Sequence, residues 1–493
     1  MYGVALVVVC VYLGVGILKE QPQNSQAILG IVAIILFCYI TSARPSRVNW
    51  CPVFWGFVIQ FVFACLTMRT RFGYDVFDWL GKIILDFISF SDSGSNFIFG
   101  NDFKSKGFAL AISGTIVFFT TMMFVFTHLG ITDFVVLKLG RIISVCLETG
   151  PVESVVASAN IFVSMASPNH ILTAAVISAP AALALAKLSY PETQTVNYEK
   201  QKNMRIKDGN RYTFTKSELH SVMSSGFAST SGSLMVLFIM CGASPNHILT
   251  AAVISAPAAL ALAKLSYPET QTVNYAKQKN MRIKDGNSEG SNLWSVLSDG
   301  TAMGVKVAVS VLANLLSFIS VMSLVDWFLG WCGERAGLEE LSIEFLFSYL
   351  LWPLAYALGT EPADCPKMGR LIGVKLATSP LVAFTQMGQM KRNREELGAY
   401  LADTGGTGAW HWEGNHVVLD ASNKTLILGI ISERSEAIAT YVLSGFNTVA
   451  NIGITIGTLV QVCPDRKSDY IRLVFRAFMI GNMACFATAA VAG

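Results

Sequence analysis

The sequence predicts an all-α, polytopic integral membrane protein. Three observations lead there: a shortage of charge, a series of long apolar runs, and the way polar residues interrupt several of those runs. Only 14% of the 493 residues are charged, while 53% are hydrophobic. A soluble domain needs about 25% charged residues to face water. The mean hydropathy of +0.50 agrees. A net charge of +3 is too small to point to nucleic acid as a partner. Ten cysteines are scattered, mostly within apolar runs, and no Cys-x-x-Cys pair occurs. Neither a zinc site nor a disulfide framework is signalled.

A bilayer-spanning helix needs about 20 mostly apolar residues, with a lower limit of about 17. Tyr2 to Leu18 is the first run that approaches this. It lacks a basic leader and a small-residue cleavage site, so it reads as a span rather than a cleaved signal. Its start directly after Met1 hints at further chain upstream. Ala27 to Ser42, Val53 to Met68, Phe108 to Phe126, Ile131 to Cys146 and Met303 to Leu329 follow. Ile343 to Leu358, Thr425 to Leu443 and Phe475 to Val491 complete the series. Met390 to Asn423 is the longest polar stretch and is expected outside the membrane, with Trp410 and Trp412 at the headgroup boundary. Asn423-Lys424-Thr425 is a glycosylation sequon, but it abuts an apolar run, which argues against its use. Arg44 and Arg47 in one loop are balanced by Arg69 and Arg71 in the next, so the positive-inside rule leaves orientation open.

Residues 166–210 and 243–287 carry the same string, differing only at Glu199 against Ala276. Packing demands would preserve a periodic core and let the loops drift. Near-identity throughout reads instead as a recent duplication at the DNA level or an error in the gene model.

Four segments interrupt apolar runs with clustered small and polar residues: Thr149 to Val163, Ser224 to Ser233, Gly373 to Phe384, and Ser432 to Glu436 followed by Gly445 to Gly453. Backbone freed from helical bonding is tolerated at membrane depth only where it is buried in protein or lines a cavity. Close helix packing by small residues would explain one such segment. Four in one chain, two with embedded carboxylates, favour a solute pathway. For Glu436, an ion pair with nearby Arg434 at a helix end is the alternative. No His-Glu-x-x-His or Gly-x-Ser-x-Gly string occurs, so nothing points to an enzyme.

These segments resemble the concentrative nucleoside transporter family. The resemblance runs through Pro45 to Trp50, Phe54 to Phe63, Glu153 to Val163, Thr215 to Ser233, Ser255 to Leu260, Ser435 to Tyr441 and Arg466 to Asp469. It implies inverted repeats, re-entrant hairpins, discontinuous transmembrane helices, a homotrimer in the plasma membrane, and nucleoside entry coupled to sodium or protons. No other cofactor is implied. The organisation expected is N-terminal spans over 1–130, a first transport repeat over 131–300 and a second over 301–493. By the same resemblance, sodium would sit on Asn160, Val163 (through its carbonyl), Ser229 and Thr230. Candidate substrate residues are Glu436, Asn447, Thr448 and Asn451.

The departures are as informative. After Asn160-Ile161-Phe162-Val163 the family pattern reads Gly-Gln-Thr-Glu-Ala-Pro, but here Ser164-Met165-Ala166-Ser167 stands, and Ala166 opens the duplicated block. The second hairpin pattern Asn-Glu-Phe-Val-Ala-Tyr becomes Ser379 to Phe384. Two ligand-binding carboxylates are lost. Thr448 replaces a ribose-binding Asn, and Asn451 replaces a Ser. The expectation is therefore a transporter with an altered or weakened substrate site, or else a transport-inactive relative serving as an assembly or regulatory subunit.

Overall fold

The computed structural model describes residues 24–103, 107–147, 149, 151–162, 215–230, 232–270, 292–337, 341–405, 408–420, 423–445, 447–462 and 466–493. The run Tyr2 to Leu18, residue Val163 and the first duplicated copy, 166–210, lie outside them.

Helices dominate, and local capping sets several of their starts. α1 spans Ser25–Ile40. α2 (Trp50–Met68) begins where Asn49 accepts from the Cys51 amide at 3.0 Å. α3 (Arg71–Phe99) begins where Thr70 accepts from the Gly73 amide. α4 (Phe108–His128), α5 (Ile131–Leu147) and α6 (Pro151–Phe162) follow. α7 (Lys216–Ala228) starts with a reciprocal capping box between Thr215 and Glu218, which satisfies two orphan donors at once. α8 (Gly232–Met240) and α9 (Pro245–Ser266) come next, so the first part of the second duplicated copy is helical, and residues 271–287 of it lie outside the described residues. α10 (Leu293–Ala336) is long, and α11 (Ile343–Leu350) and α12 (Trp352–Ala357) are short. α13 (Cys365–Ala377) and α14 (Pro380–Asp403) form a helical hairpin. A three-stranded antiparallel sheet follows, β1 (Trp410–Glu413), β2 (His416–Leu419) and β3 (Lys424–Leu426). α15 (Glu433–Leu443), α16 (Val449–Val462) and α17 (Lys467–Ala492) end the chain.

Five described helices are long and apolar enough to cross a membrane: α2, α4, α9, α10 and α17. Their surroundings differ sharply. The spanning window of α9 is 89% buried, that of α10 only 6%. α9 is therefore the central post, packed by α2, α7 and α17, while α10 lies along α4 at the rim. α10 has 44 residues. At 1.5 Å per residue it is about 66 Å long, twice a hydrocarbon core, so it must tilt or project beyond it.

Some expected spans are not simple spans. Ile343 to Leu358 is divided between α11 and α12, because Pro353 falls in the first turn of α12 and cannot continue the ladder. Thr425 to Leu443 divides into β3, a turn with Gly429 at φ +68°, and α15. The glycosylation sequon thus sits on an exposed turn of the sheet. Met390 to Asn423 continues α14 as far as Asp403 before entering the sheet. There Trp410 and Trp412 meet edge to face, and Lys367 stands 4.7 Å over the Trp412 ring. α3 escapes a search for uniform apolar runs because charged residues alternate with exposed Phe72, Trp79, Phe90 and Phe97. That amphipathic pattern suits the membrane surface.

One polar tie crosses the interior. Lys264 on α9 pairs with Glu153 on α6 at 2.8 Å and donates to Ser217 on α7 at 3.2 Å. Both charges are largely removed from water, and Lys264 also lies 3.8 Å from Glu269.

Gly300 and Gly304 let α10 approach α4. A Cβ at Gly304 would lie 2.8 Å from the Val117 Cα, whereas one at Gly330 on the same helix would meet nothing. Gly304→Leu is expected to cost about 1–3 kcal/mol through overpacking and to lower the melting temperature in detergent. Gly330→Leu should leave it unchanged.

Candidate solute and cation site

Two of the interrupted segments become breaks between half-helices. In the first, α7 ends at Ala228, Ser229 is extended, and α8 resumes at Gly232. In the second, α15 ends at Leu443, Asn447 and Thr448 are non-helical, and α16 resumes at Val449. Ser229, Thr230, Asn447, Thr448 and Asn451 are all buried. A third interrupted segment, Gly373 to Phe384, is the turn of the α13–α14 hairpin. Thr378 bonds back to the Val374 carbonyl at 2.6 Å, and Ser379 caps α14 by accepting from the Leu381 amide.

α17 brings the two breaks together. A Cβ at Gly481 would fall 2.4 Å from the Phe227 Cβ and 3.2 Å from the Ala228 amide nitrogen, so α17 and the end of α7 touch backbone to backbone. One turn on, Cys485 Sγ donates to the Ala228 carbonyl at 3.6 Å and receives Asn447 Nδ2 at 3.8 Å. Gly445 sits against the same sulfur and lies within 3.2 Å of the Phe227 carbonyl, both measured from a Cβ built on it. Backbone approach this close requires residues without bulk.

The surroundings are polar yet sealed from water. Asn447 is fully buried, and its Oδ1 has no hydrogen-bond partner among the described residues; Asn482 Oδ1 on α17 and the Ser221 and Ser224 hydroxyls on α7 share that condition. Buried polar atoms are nearly always paired; these four keep unused hydrogen-bonding capacity, as do Gln60 Oε1 and Thr360 Oγ1 elsewhere among the described residues. Asn482 was not singled out by sequence, because one Asn in an apolar helix resembles any helix-packing residue.

The other predicted residues fall as follows. Asn160 lies on α6, in its last turn. Thr448 and Asn451 are three residues apart and share a face of the α16 start, with the Asn451 amide donating to the Thr448 carbonyl. Glu436 is not part of the break. It lies in the first turn of α15, about 12 Å along the axis from Ser444. There it pairs with Lys391 at 2.9 Å and Arg394 at 2.6 Å, both on α14. Arg434 turns away instead to Asn24 and the Gly493 carbonyl. Glu436 therefore clamps the hairpin to the broken helix. Among the described residues no cluster of three His, Cys, Asp or Glu could hold a transition metal. The hydroxyls and freed carbonyls at the first break suit a hard monovalent cation, which prefers oxygen ligands.

Buried half-helix breaks meeting inside a bundle of membrane-spanning length define a polytopic membrane protein whose freed backbone is enclosed by its own helices. The chain belongs to the sodium-dependent nucleoside transporter family: residues 247–493 match its C-terminal region, described as "Na+ dependent nucleoside transporter C-terminus", and residues 29–102 match its N-terminal one. It is 32% identical to solute carrier family 28 member 3 of Eptatretus stoutii over 100% of this chain and 64% of that protein. It is 31% identical to sodium/nucleoside cotransporter 1 of Oryctolagus cuniculus over 100% of this chain and 66% of that protein. The chain thus spans slightly less than two thirds of the length of these relatives. Its fold matches CNTnw in an outward-facing state with a TM-score of 0.77 and 23% identity, covering 96% of this chain and 98% of that one. CNTnw in an inward-facing substrate-bound state gives 0.73 and 24% identity, covering 95% and 97%.

Because Gly481 is the contact point, Gly481→Val should force Phe227 aside. The expected result is a loss of about 1–3 kcal/mol, read as a lower melting temperature in detergent, with Gly94→Val, where a side chain meets open space, as the control.

Proposed function

We propose that the chain is a sodium-coupled nucleoside transporter of the plasma membrane, a homotrimer with its transport repeats at 131–300 and 301–493, and that its substrate site is weakened. The observation that carries this reading is the meeting of two buried helix breaks at α17. Family membership supports nucleosides as the substrate class and sodium as the coupling ion.

In this reading, Ser229 and Thr230 supply side-chain and carbonyl oxygens to sodium, joined by Asn160 and the Val163 carbonyl. Asn447, Thr448 and Asn451 face the nucleoside, with Asn447 Oδ1 as an acceptor for a ribose hydroxyl. Glu436 serves the site by fixing α15 to the hairpin. The weakening follows from the lost carboxylates. A hydrogen bond to a charged acceptor contributes about 1.5–3 kcal/mol, so each loss costs roughly 10- to 150-fold in affinity. Pro380 now opens α14, where the resemblance places a glutamate at the hairpin turn.

Those losses also favour a second reading, a transport-inactive relative acting as an assembly or regulatory subunit. Uptake of labelled uridine in oocytes, with sodium replaced by choline, separates the two. Weak but sodium-dependent uptake is expected. No uptake, with normal surface delivery, would favour the inactive subunit, and robust high-affinity uptake would show that the lost contacts do not matter. Ser229→Ala and Thr230→Ala should each raise the sodium concentration for half-maximal uptake about tenfold, which corresponds to roughly 1.4 kcal/mol.

Thr448→Asn should move the site back towards nucleosides. The expected outcome is a fall in half-saturating uridine of several-fold, measured alongside Thr448→Val, which should raise it.

A further inference from the structure

The two breaks end their first half-helices in the same way and then differ. Ser229 Oγ donates to the Gly226 carbonyl at 3.2 Å, and Ser444 Oγ donates to the Tyr441 carbonyl at 2.8 Å. Each serine closes the carbonyl three residues back, one of the acceptors a helix end leaves open. At each break a further acceptor is taken, but by different donors: the neutral Cys485 Sγ donates to the Ala228 carbonyl at the first, and Lys375 Nζ donates to the Val442 carbonyl at 2.7 Å at the second. Lys375 projects from α13, three residues before Thr378 at the hairpin turn, and is fully buried. Among the described residues no carboxylate pairs with it, although Lys264, Lys367 and Lys391 all have such partners.

A buried ammonium without a carboxylate costs several kcal/mol. What offsets that cost here is the α15 C-terminus, where the helix dipole carries about half a negative charge and the last carbonyls turn outward. The first break has the same negative helix end, at α7, but among the described residues no lysine reaches it.

We infer that the Lys375 ammonium is a tethered monovalent cation, holding at the second break the place that a free sodium ion holds at the first. This rests on the sodium reading given above. The tether has a functional consequence: the second half of the molecule is neutralised by the chain itself, and a small hard cation such as sodium or lithium takes that place only when the amine is removed.

The test uses the purified full chain in detergent, with melting followed in sodium, lithium and choline chloride at constant ionic strength. Lys375→Ser removes the amine and leaves room. Lys375→Met removes the charge but keeps the volume filled. Lys375→Ser is expected to melt lower than the unaltered chain in choline and to gain a second, saturable rise in melting temperature with sodium or lithium. Lys375→Met is expected to melt lower in every salt and to show only the sodium response of the unaltered chain. The inference is overturned if Lys375→Ser shows no added sodium response, if the Ser and Met variants respond alike, or if Lys375→Ser fails to fold even in saturating sodium. Should the unaltered chain itself show no sodium-specific rise, the sodium reading of the first break fails, while the Ser and Met pair still decides the role of Lys375.

Discussion

The contact between α17 and the two helix breaks is the constraint on which the rest of the structure depends. Gly481 admits Phe227 at backbone distance, and Cys485 bridges the Ala228 carbonyl to Asn447. A larger side chain at Gly481 or Gly445 would separate the breaks. They could then no longer form one site from segments that lie far apart in sequence. Interrupted helices are tolerable in a membrane only when their freed backbone is enclosed by protein. Here the enclosure and the proposed site are the same contact.

The polar interior is organised around that contact rather than spread evenly. Glu153, Lys264 and Ser217 join α6, α9 and α7 at one end. Glu436, Lys391 and Arg394 join α15 to α14 at another. These charges form ties between elements, and Glu436, a candidate substrate residue, is one of them. The breaks themselves carry neutral buried groups, Ser229, Thr230, Asn447 and Thr448, and Lys375 is the one lysine bonded to a freed helix-end carbonyl among the described residues. This division is physically reasonable. Paired charges hold half-helices in register, while neutral donors and acceptors can exchange their partners for a solute without leaving a bare charge behind.

The predicted membrane helices were legible wherever an apolar run was long and uniform, as in α2, α4 and α17. They were misjudged where burial came from a different source. α3 hides its apolar face among charges. The α7 segment is mostly polar, yet it is buried along its length because α9, α17 and α6 surround it. The sheet between α14 and α15 is built from strands of three or four residues, too short for a periodicity to register.

By itself the sequence determined the class of environment and marked three of the places where helices break or turn, while the interrupted segment at Thr149 to Val163 folds as the helix α6 over Pro151–Phe162. Low charge density cannot face water, and clustered Gly, Ser, Asn and Pro weaken a helical ladder. The resemblance to the family pattern implied two missing carboxylates, a comparison that needs no coordinates. Only the tertiary structure decided which breaks meet, that Glu436 looks to α14 rather than to Arg434, and that Lys375 reaches the end of α15. Those outcomes depend on distances between residues remote along the chain. Such distances are set by how small residues on α17 let whole helices approach, which no local pattern encodes.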